Sequence, residues 1–245
     1  MSEKTEPQAG QFPATRLSLV ERARGEGEVR RLAVGQLLET YQPALRAHLL
    51  WKRRISPDRA EDLVQAFITD KVIERNLVSH YDRTRGKFRT FLLTALDRYV
   101  SNILRNEAAQ RRSPDSLRSL DDDQRGLAVS APSTANPFDI EWANQVLKLA
   151  LKNMQDECGK SGREDLWQIF DCRVRAPLME QVEPLAYDEF VQRFGLRSPT
   201  QASNLLITAK RAFERSLRQV IAEYVHHESE IDEEIRDLIA VLAGA

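Results

Sequence analysis

Between residues 83 and 112 the chain places Arg83, Arg85, Lys87, Arg89, Arg98, Arg105, Arg111 and Arg112 against only Asp97 and Glu107, with Phe88, Phe91 and Tyr99 interleaved. Clustered Lys and Arg neutralise phosphates, so this stretch suits a nucleic-acid backbone, as it equally suits a solvated helix face. A second basic excess runs through Arg197, Lys210, Arg211, Arg215 and Arg218, and it brackets Thr200, Gln201, Ser203 and Asn204. Gln and Asn amides can each bond an adenine edge twice, and the neighbouring cations can hold the duplex backbone. A third set, Asp58, Asp62, Gln65 and Thr69, recurs every three or four residues and forms a polar stripe, which taken alone is more often a solvated face than a docking site. Covalent chemistry finds no such support. There is no Gly-rich phosphate loop and no nucleophile set beside His and acid, and neither Cys158 nor Cys172 has ligands at metal spacing. The expectation is a binding protein, not an enzyme, with no cofactor and no metal.

The elements that must carry these residues read as helices. Ser56-Pro57-Asp58 opens one, with Ser56 as N-cap, Pro57 in the first position and Asp58, Glu61 and Asp62 at the positive end of the dipole. Its apolar face is Ala60, Leu63, Val64, Phe67, Ile68 and Val72. After a short extended stretch at Tyr81-Asp82, Gly86 permits a turn into a long helix burying Phe88, Phe91, Leu92, Ala95, Tyr99 and Ile103. Upstream, Leu17, Val20, Leu32, Leu37, Leu38, Tyr41, Leu45 and Leu49 suggest two or three further helices. Downstream, Phe138, Trp142, Val146, Leu149 and Ala150 begin another, and one more is expected around residues 164–173. Tyr187, Phe190, Val191 and Phe194 line a short helix ended by Gly195. Ser198-Pro199 then starts a helix burying Ala202, Leu205, Leu206, Ala209, Phe213 and Leu217. Two helices about a short turn are the layout of a helix-turn-helix, whose second helix meets base edges with its first residues.

With 245 residues, 42% apolar and 7% aromatic, and only 10 Gly and 10 Pro, the chain can build a core from helices alone. The formal net charge of −1 hides segregation: Asp121, Asp122, Asp123 and the acids from Glu228 to Asp237 balance the two basic regions. The expected architecture is all-α, two helical domains joined by a flexible linker, the second containing the helix-turn-helix. Residues 1–13 are expected to be disordered, 14–112 to form the first domain, 113–137 the Pro- and Ser-bearing linker, 138–225 the second domain, and 226–245 an acidic amphipathic helix. No run approaches the roughly 18 apolar residues of a membrane span, and the polar start is unlike a secretory signal, so no membrane partner and a cytoplasmic location are expected.

Taken in order, Ser56-Pro57-Asp58-Arg59-Ala60-Glu61-Asp62-Leu63-Val64-Gln65, then Tyr81-Asp82-Arg83-Thr84-Arg85-Gly86-Lys87-Phe88-Arg89-Thr90-Phe91-Leu92, then Arg111-Arg112, resemble region 2 of bacterial extracytoplasmic-function sigma factors. Residues 187–218 resemble region 4 of the same family, and the likeness spans about residues 32–224. Ala66 and Asp97-Arg98 depart from the family's usual acid and Arg-Asn. The resemblance implies that Asp58, Asp62, Gln65 and Thr69 face the clamp helices of core RNA polymerase. It assigns Arg85, Lys87, Phe88, Arg89, Arg98, Tyr99, Asn102 and Arg105 to the opened minus-ten element of promoter DNA. It assigns Thr200, Gln201, Ser203, Asn204, Lys210, Arg211 and Arg215 to the minus-thirty-five element. An anti-sigma factor is a further partner the family would allow.

The alternative is a repressor or activator that uses the helix-turn-helix behind a helical oligomerisation domain; a third is a purely protein-binding helical scaffold. No function is expected for residues 159–186 beyond extra helix and loop. Beyond His226 and His227, Ile231, Ile235, Leu238, Ile239 and Leu242 form a stripe beside Glu230, Asp232, Glu233, Glu234 and Asp237. The sharper expectation for this tail is that it folds against a basic DNA-binding surface and limits its activity.

Overall fold

Apolar residues at spacings of three and four close into helices throughout. The computed structural model describes residues 19–112, 136–225 and 227–244, and these hold ten α-helices and no strand, so the fold is all-α. The expected disordered segment 1–13, and the linker up to residue 135, lie outside the described residues.

In the first half, α1 (Leu19–Arg24) and α2 (Gly27–Ala47) precede a π-helical turn, His48–Lys52, and α3 (Pro57–Phe67). Ser56 is extended as an N-cap must be, yet its side chain makes no cap bond; the helix start rests on the fixed φ of Pro57 and the charge of Asp58. At Ile68 the expected continuous helix gives way to a second π-helical turn, Ile68–Glu74, which carries Thr69. Short 3₁₀ turns, Leu77–His80 and Arg83–Arg85, then lead through Gly86 at φ 125° into α4 (Phe88–Arg112). That angle lies in a region side chains avoid, which is why glycine stands there. The Tyr81 hydroxyl donates to the Gly86 carbonyl at 2.9 Å and fixes the bend.

Two expectations about inner faces are corrected. Leu32 is 61% exposed, not core. In α4 the buried row is Phe88, Leu92, Leu96 and Val100, whereas Phe91, Ala95, Tyr99 and Ile103 are only half-buried. Three residues of helix amount to 300°, so the real core row sits about 60° from the expected one.

The second half comprises α5 (Pro137–Lys160), α6 (Glu164–Phe170), a π-helical turn at Asp171–Arg175, α7 (Ala176–Glu180), α8 (Tyr187–Phe194), α9 (Pro199–Ala222) and α10 (Glu228–Ala243). The Asn136 side chain caps α5 by accepting from Phe138 N at 3.3 Å. The apolar interior divides in two, but not at the linker. One cluster joins α1 to α4 with Phe138, Trp142, Val146 and Ala150 of α5, Leu217, Val220 and Ile221 of α9, Tyr224 just beyond it, and Ile231 and Leu238 of α10. The other gathers Met154, Cys158, Leu166, Ile169, Phe170, Phe190, Ala202, Leu206, Ala209 and Ala212. Both α5 and α9 are 24 residues long. A helix of that length spans about 36 Å, enough for one end to pack on the first half while the other supports α6 and α8. Tyr41 marks the junction, its ring 5.4 Å from Phe88, 6.5 Å from Phe138 and 6.4 Å from Tyr224 between centroids. The boundary expected near residue 138 therefore does not separate two cores.

Candidate nucleic-acid interface

Lys87 and Arg89, at the start of α4, do not face open solvent. Lys87 Nζ lies 2.8 Å from Glu234 Oε1, 2.6 Å from Asp237 Oδ2 and 3.6 Å from Glu233 Oε1. Arg89 bonds Glu234 and, at 2.5 Å, Asp237, with Asp139 at 3.8 Å; its guanidinium also lies 4.4 Å from the centre of the Trp142 ring. The Arg89 side chain is 11% exposed and that of Glu234 9%. Burial works to lower the Lys87 and Arg89 pKa values, but the carboxylates of Glu234 and Asp237 outweigh it and both are raised. Partial burial works to raise Asp237, yet the cations hold it below the usual carboxylate range. Asp139, more deeply placed, is held above that range chiefly by burial. Glu233, Glu234 and Asp237 recur at helical spacing on one face of α10, and Ile231 and Leu238 anchor that helix in the core.

Along the remainder of this surface, Arg85 is exposed and pairs with Asp82 at 3.4 Å, and Arg83 bonds His227 at 2.8 Å. Asn102 and Arg105 are exposed and bonded to each other at 3.3 Å. Arg98 and Tyr99 are half-buried; the Tyr99 ring is 5.6 Å from Phe67, and Lys71 Nζ lies 5.7 Å from its centre. Phe88, placed on the buried stripe by its spacing but assigned to the minus-ten strand by the resemblance, is core: only 5% exposed and edge-on to Tyr41 and Tyr81, so the second assignment is corrected. Asp97, flagged only as a departure from the family pattern, has a visible task. It accepts from buried His48 at 2.9 Å and lies 3.8 Å from Arg53, which in turn bonds Ser101 at 3.0 Å, so it fastens the turn before α3 to α4.

On α3, Asp58, Asp62 and Gln65 are exposed, as is Thr69 beyond it. Gln65 donates to Glu61 at 3.1 Å, and Glu61 pairs with Arg46 of α2 at 3.1 Å. Arg59 pairs with Glu107, tying α3 to α4. The stripe is positioned by its flanks and presents its polar groups outward.

At the other end of the molecule, α8 stops where Gly195 takes φ 65°, and Leu196 N donates back to Val191 O at 3.1 Å. Ser198 Oγ accepts from Gln201 N at 3.2 Å, capping α9. Gln201 Oε1 in return accepts from Arg197 N at 2.7 Å. Gln201 is thus part of the cap, and the two-point adenine contact expected of it would require releasing that bond. Thr200, Asn204, Ile207 and Arg211 fall at spacings of four, three and four on the exposed face, with Lys210 and Arg215 beside them; Ser203 is half-buried. Among the described residues Lys210, Arg211 and Arg215 pair with no carboxylate. Residues 159–186, given no role from sequence, supply the support: Leu166, Ile169 and Phe170 pack under Ala202, Leu206 and Ala209, and Phe170 stacks on Phe213 at 5.0 Å. Arg173 bonds the Leu185 carbonyl and lies 4.0 Å from the centre of the Tyr187 ring, fixing the approach to α8. An apolar run reveals that a helix is buried but not against what, so this support was not legible.

No group of His, Cys, Asp and Glu among the described residues could hold a metal ion, and none of their helices is long and apolar enough to cross a membrane. Comparison with known protein families, curated proteins and solved structures finds no match.

Proposed function

We propose that this chain is an RNA polymerase sigma factor of the extracytoplasmic-function type, acting by binding and not by catalysis. The observation that carries the reading is the outer row of α9. Thr200, Asn204, Ile207 and Arg211 line one exposed face along the first half of a capped helix, behind a short helix and a tight turn, with Lys210, Arg211 and Arg215 pairing with no carboxylate among the described residues. Such a face fits a major groove: Asn204 can bond an adenine edge, Ile207 can meet a thymine methyl, and Lys210, Arg211 and Arg215 can contact phosphates. The stripe of Asp58, Asp62, Gln65 and Thr69 would dock on core polymerase, and Arg85, Arg98, Asn102 and Arg105 with Lys87 and Arg89 would hold the opened minus-ten strand.

A repressor or activator built on the same helix pair is favoured by one observation, the apolar cluster that runs unbroken from the first half into α5, α9 and α10. The two readings part in solution. Run-off transcription with purified core polymerase and genomic DNA should give new start sites, and the chain should co-elute with core enzyme one to one. A symmetric dimer on a palindromic site, with no core association and no new starts, would overturn the sigma reading.

A further inference from the structure

The basic start of α4 and the acidic face of α10 are complementary at the level of single atoms. Three carboxylates surround two cations, Glu234 and Asp237 each meet both Lys87 and Arg89, and a further bond from Arg218 to Asp232 at 2.6 Å fixes the helix on α9. A buried ion cluster is rarely more stabilising than apolar packing of the same volume, so stability alone does not account for this concentration of charge. Its ligands are of the kind a nucleic-acid backbone would replace, since carboxylate and phosphate oxygens make the same charge-assisted bonds with Lys and Arg. The cluster can also be reached. A cleft of about 500 Å³, lined by Tyr81, Arg83, Lys87, Glu230, Glu233 and Glu234, opens beside it between the start of α4 and α10.

We infer that α10 is a displaceable acidic helix that occupies the nucleic-acid surface at the start of α4, with Glu233, Glu234 and Asp237 standing where backbone phosphates would bind. The inference rests on the sigma reading for the identity of that surface and adds its regulation: α4 is available to a promoter strand only when α10 leaves. Nucleic acid and α10 then compete for Lys87 and Arg89, and each weakens the other's hold.

The test uses the full chain and a fluorescein-labelled forked DNA duplex with an AT-rich single-stranded overhang, read by anisotropy at low salt. Asp237→Asn, at a partly exposed position, and Glu234→Gln, at a buried one, should each bind about tenfold more tightly than the unaltered chain. Glu228→Gln, on the exposed start of α10, should leave binding unchanged. Should Glu234→Gln fail to fold, Asp237→Asn carries the comparison, and hydrogen exchange supplies a second readout: the forked DNA should speed amide exchange across residues 228–243 of the unaltered chain. Equal affinity of Asp237→Asn and the unaltered chain, or binding that leaves exchange in α10 untouched, overturns the inference while the sigma reading stands. Failure of every form to bind DNA, together with failure to co-elute with core polymerase, overturns both.

Discussion

Two cationic stretches of helix in this molecule have opposite surroundings. At the beginning of α4, Lys87 and Arg89 are enclosed by Glu233, Glu234, Asp237 and Asp139; along α9, Lys210, Arg211 and Arg215 are exposed and pair with no carboxylate among the described residues. Chain connectivity explains the difference. The acidic helix follows α9 after a few residues and is tied back to it through Arg218 and Asp232, while its Glu233, Glu234 and Asp237 are taken up by Lys87 and Arg89 of the first half. One cationic surface is open and the other covered, and the contrast can be broken at several points.

The largest effect should come from Trp142, which is 1% exposed and lies beneath Arg89. Trp142→Ala should cost about 3–5 kcal/mol in urea unfolding by removing a large ring from the shared core. It should also loosen α10, which hydrogen exchange would register. An intermediate effect separates the two surfaces directly. Arg211→Ala should weaken DNA binding of the intact chain several-fold, about 1 kcal/mol for a lost phosphate contact in a polar setting. Lys87→Ala should change it little, because Lys87 is already occupied. In a chain carrying Asp237→Asn, Lys87→Ala should regain an effect of similar size to Arg211→Ala.

Of the same order is the cap of α9. Ser198→Ala should lower stability by about 1 kcal/mol and loosen Gln201 with it, and Ser198→Thr should restore most of the loss. The smallest effect expected is that of pH near neutrality. Asp237 is depressed in the fold, so its contribution is present above its ordinary value of 3.8 and is lost as pH falls through the lowered one. Lys87 is raised, so its contribution is complete below 10.5 and is lost as pH climbs through the higher value. Asp139, held above the usual range chiefly by burial, favours the fold while protonated, and that contribution is lost as pH rises from its ordinary 3.8 through the raised value. Tyr81, pushed up to about 12 chiefly by burial, adds a loss of stability on the alkaline side. Exchange rates across α10 should therefore be flat, after correction for intrinsic rates, between about pH 6 and 9.

Much of this was legible in the chain itself. Apolar spacing located the helices, and Gly195, Ser198 and Pro199 marked the turn before α9, because caps and left-handed positions have residue preferences. The π-helical turn at Ile68 was not legible, since widening a helix by one residue leaves no mark on its apolar content, and the position of Thr69 changed with it. The shared core was hidden for another reason. Trp142, Tyr224 and Leu238 each showed that their helices are buried, but an apolar side chain does not specify which helix covers it. The tail lay between these cases: its charge announced a basic partner, while only the fold distinguished Lys87 and Arg89 from the cations of α9. Gln201 looked like a base reader from its type alone and became a capping residue once its neighbours were placed.

The most direct measurement of the central contrast is the salt dependence of DNA binding by the full chain, with and without the paired substitutions Glu234→Gln and Asp237→Asn. If α10 withholds Lys87 and Arg89, log affinity against log salt should steepen in the substituted chain by about 1.4 to 1.8, the release expected from two more phosphate contacts. Parallel slopes with unchanged affinity would show that the start of α4 is no nucleic-acid surface or was never covered, and would contradict the account.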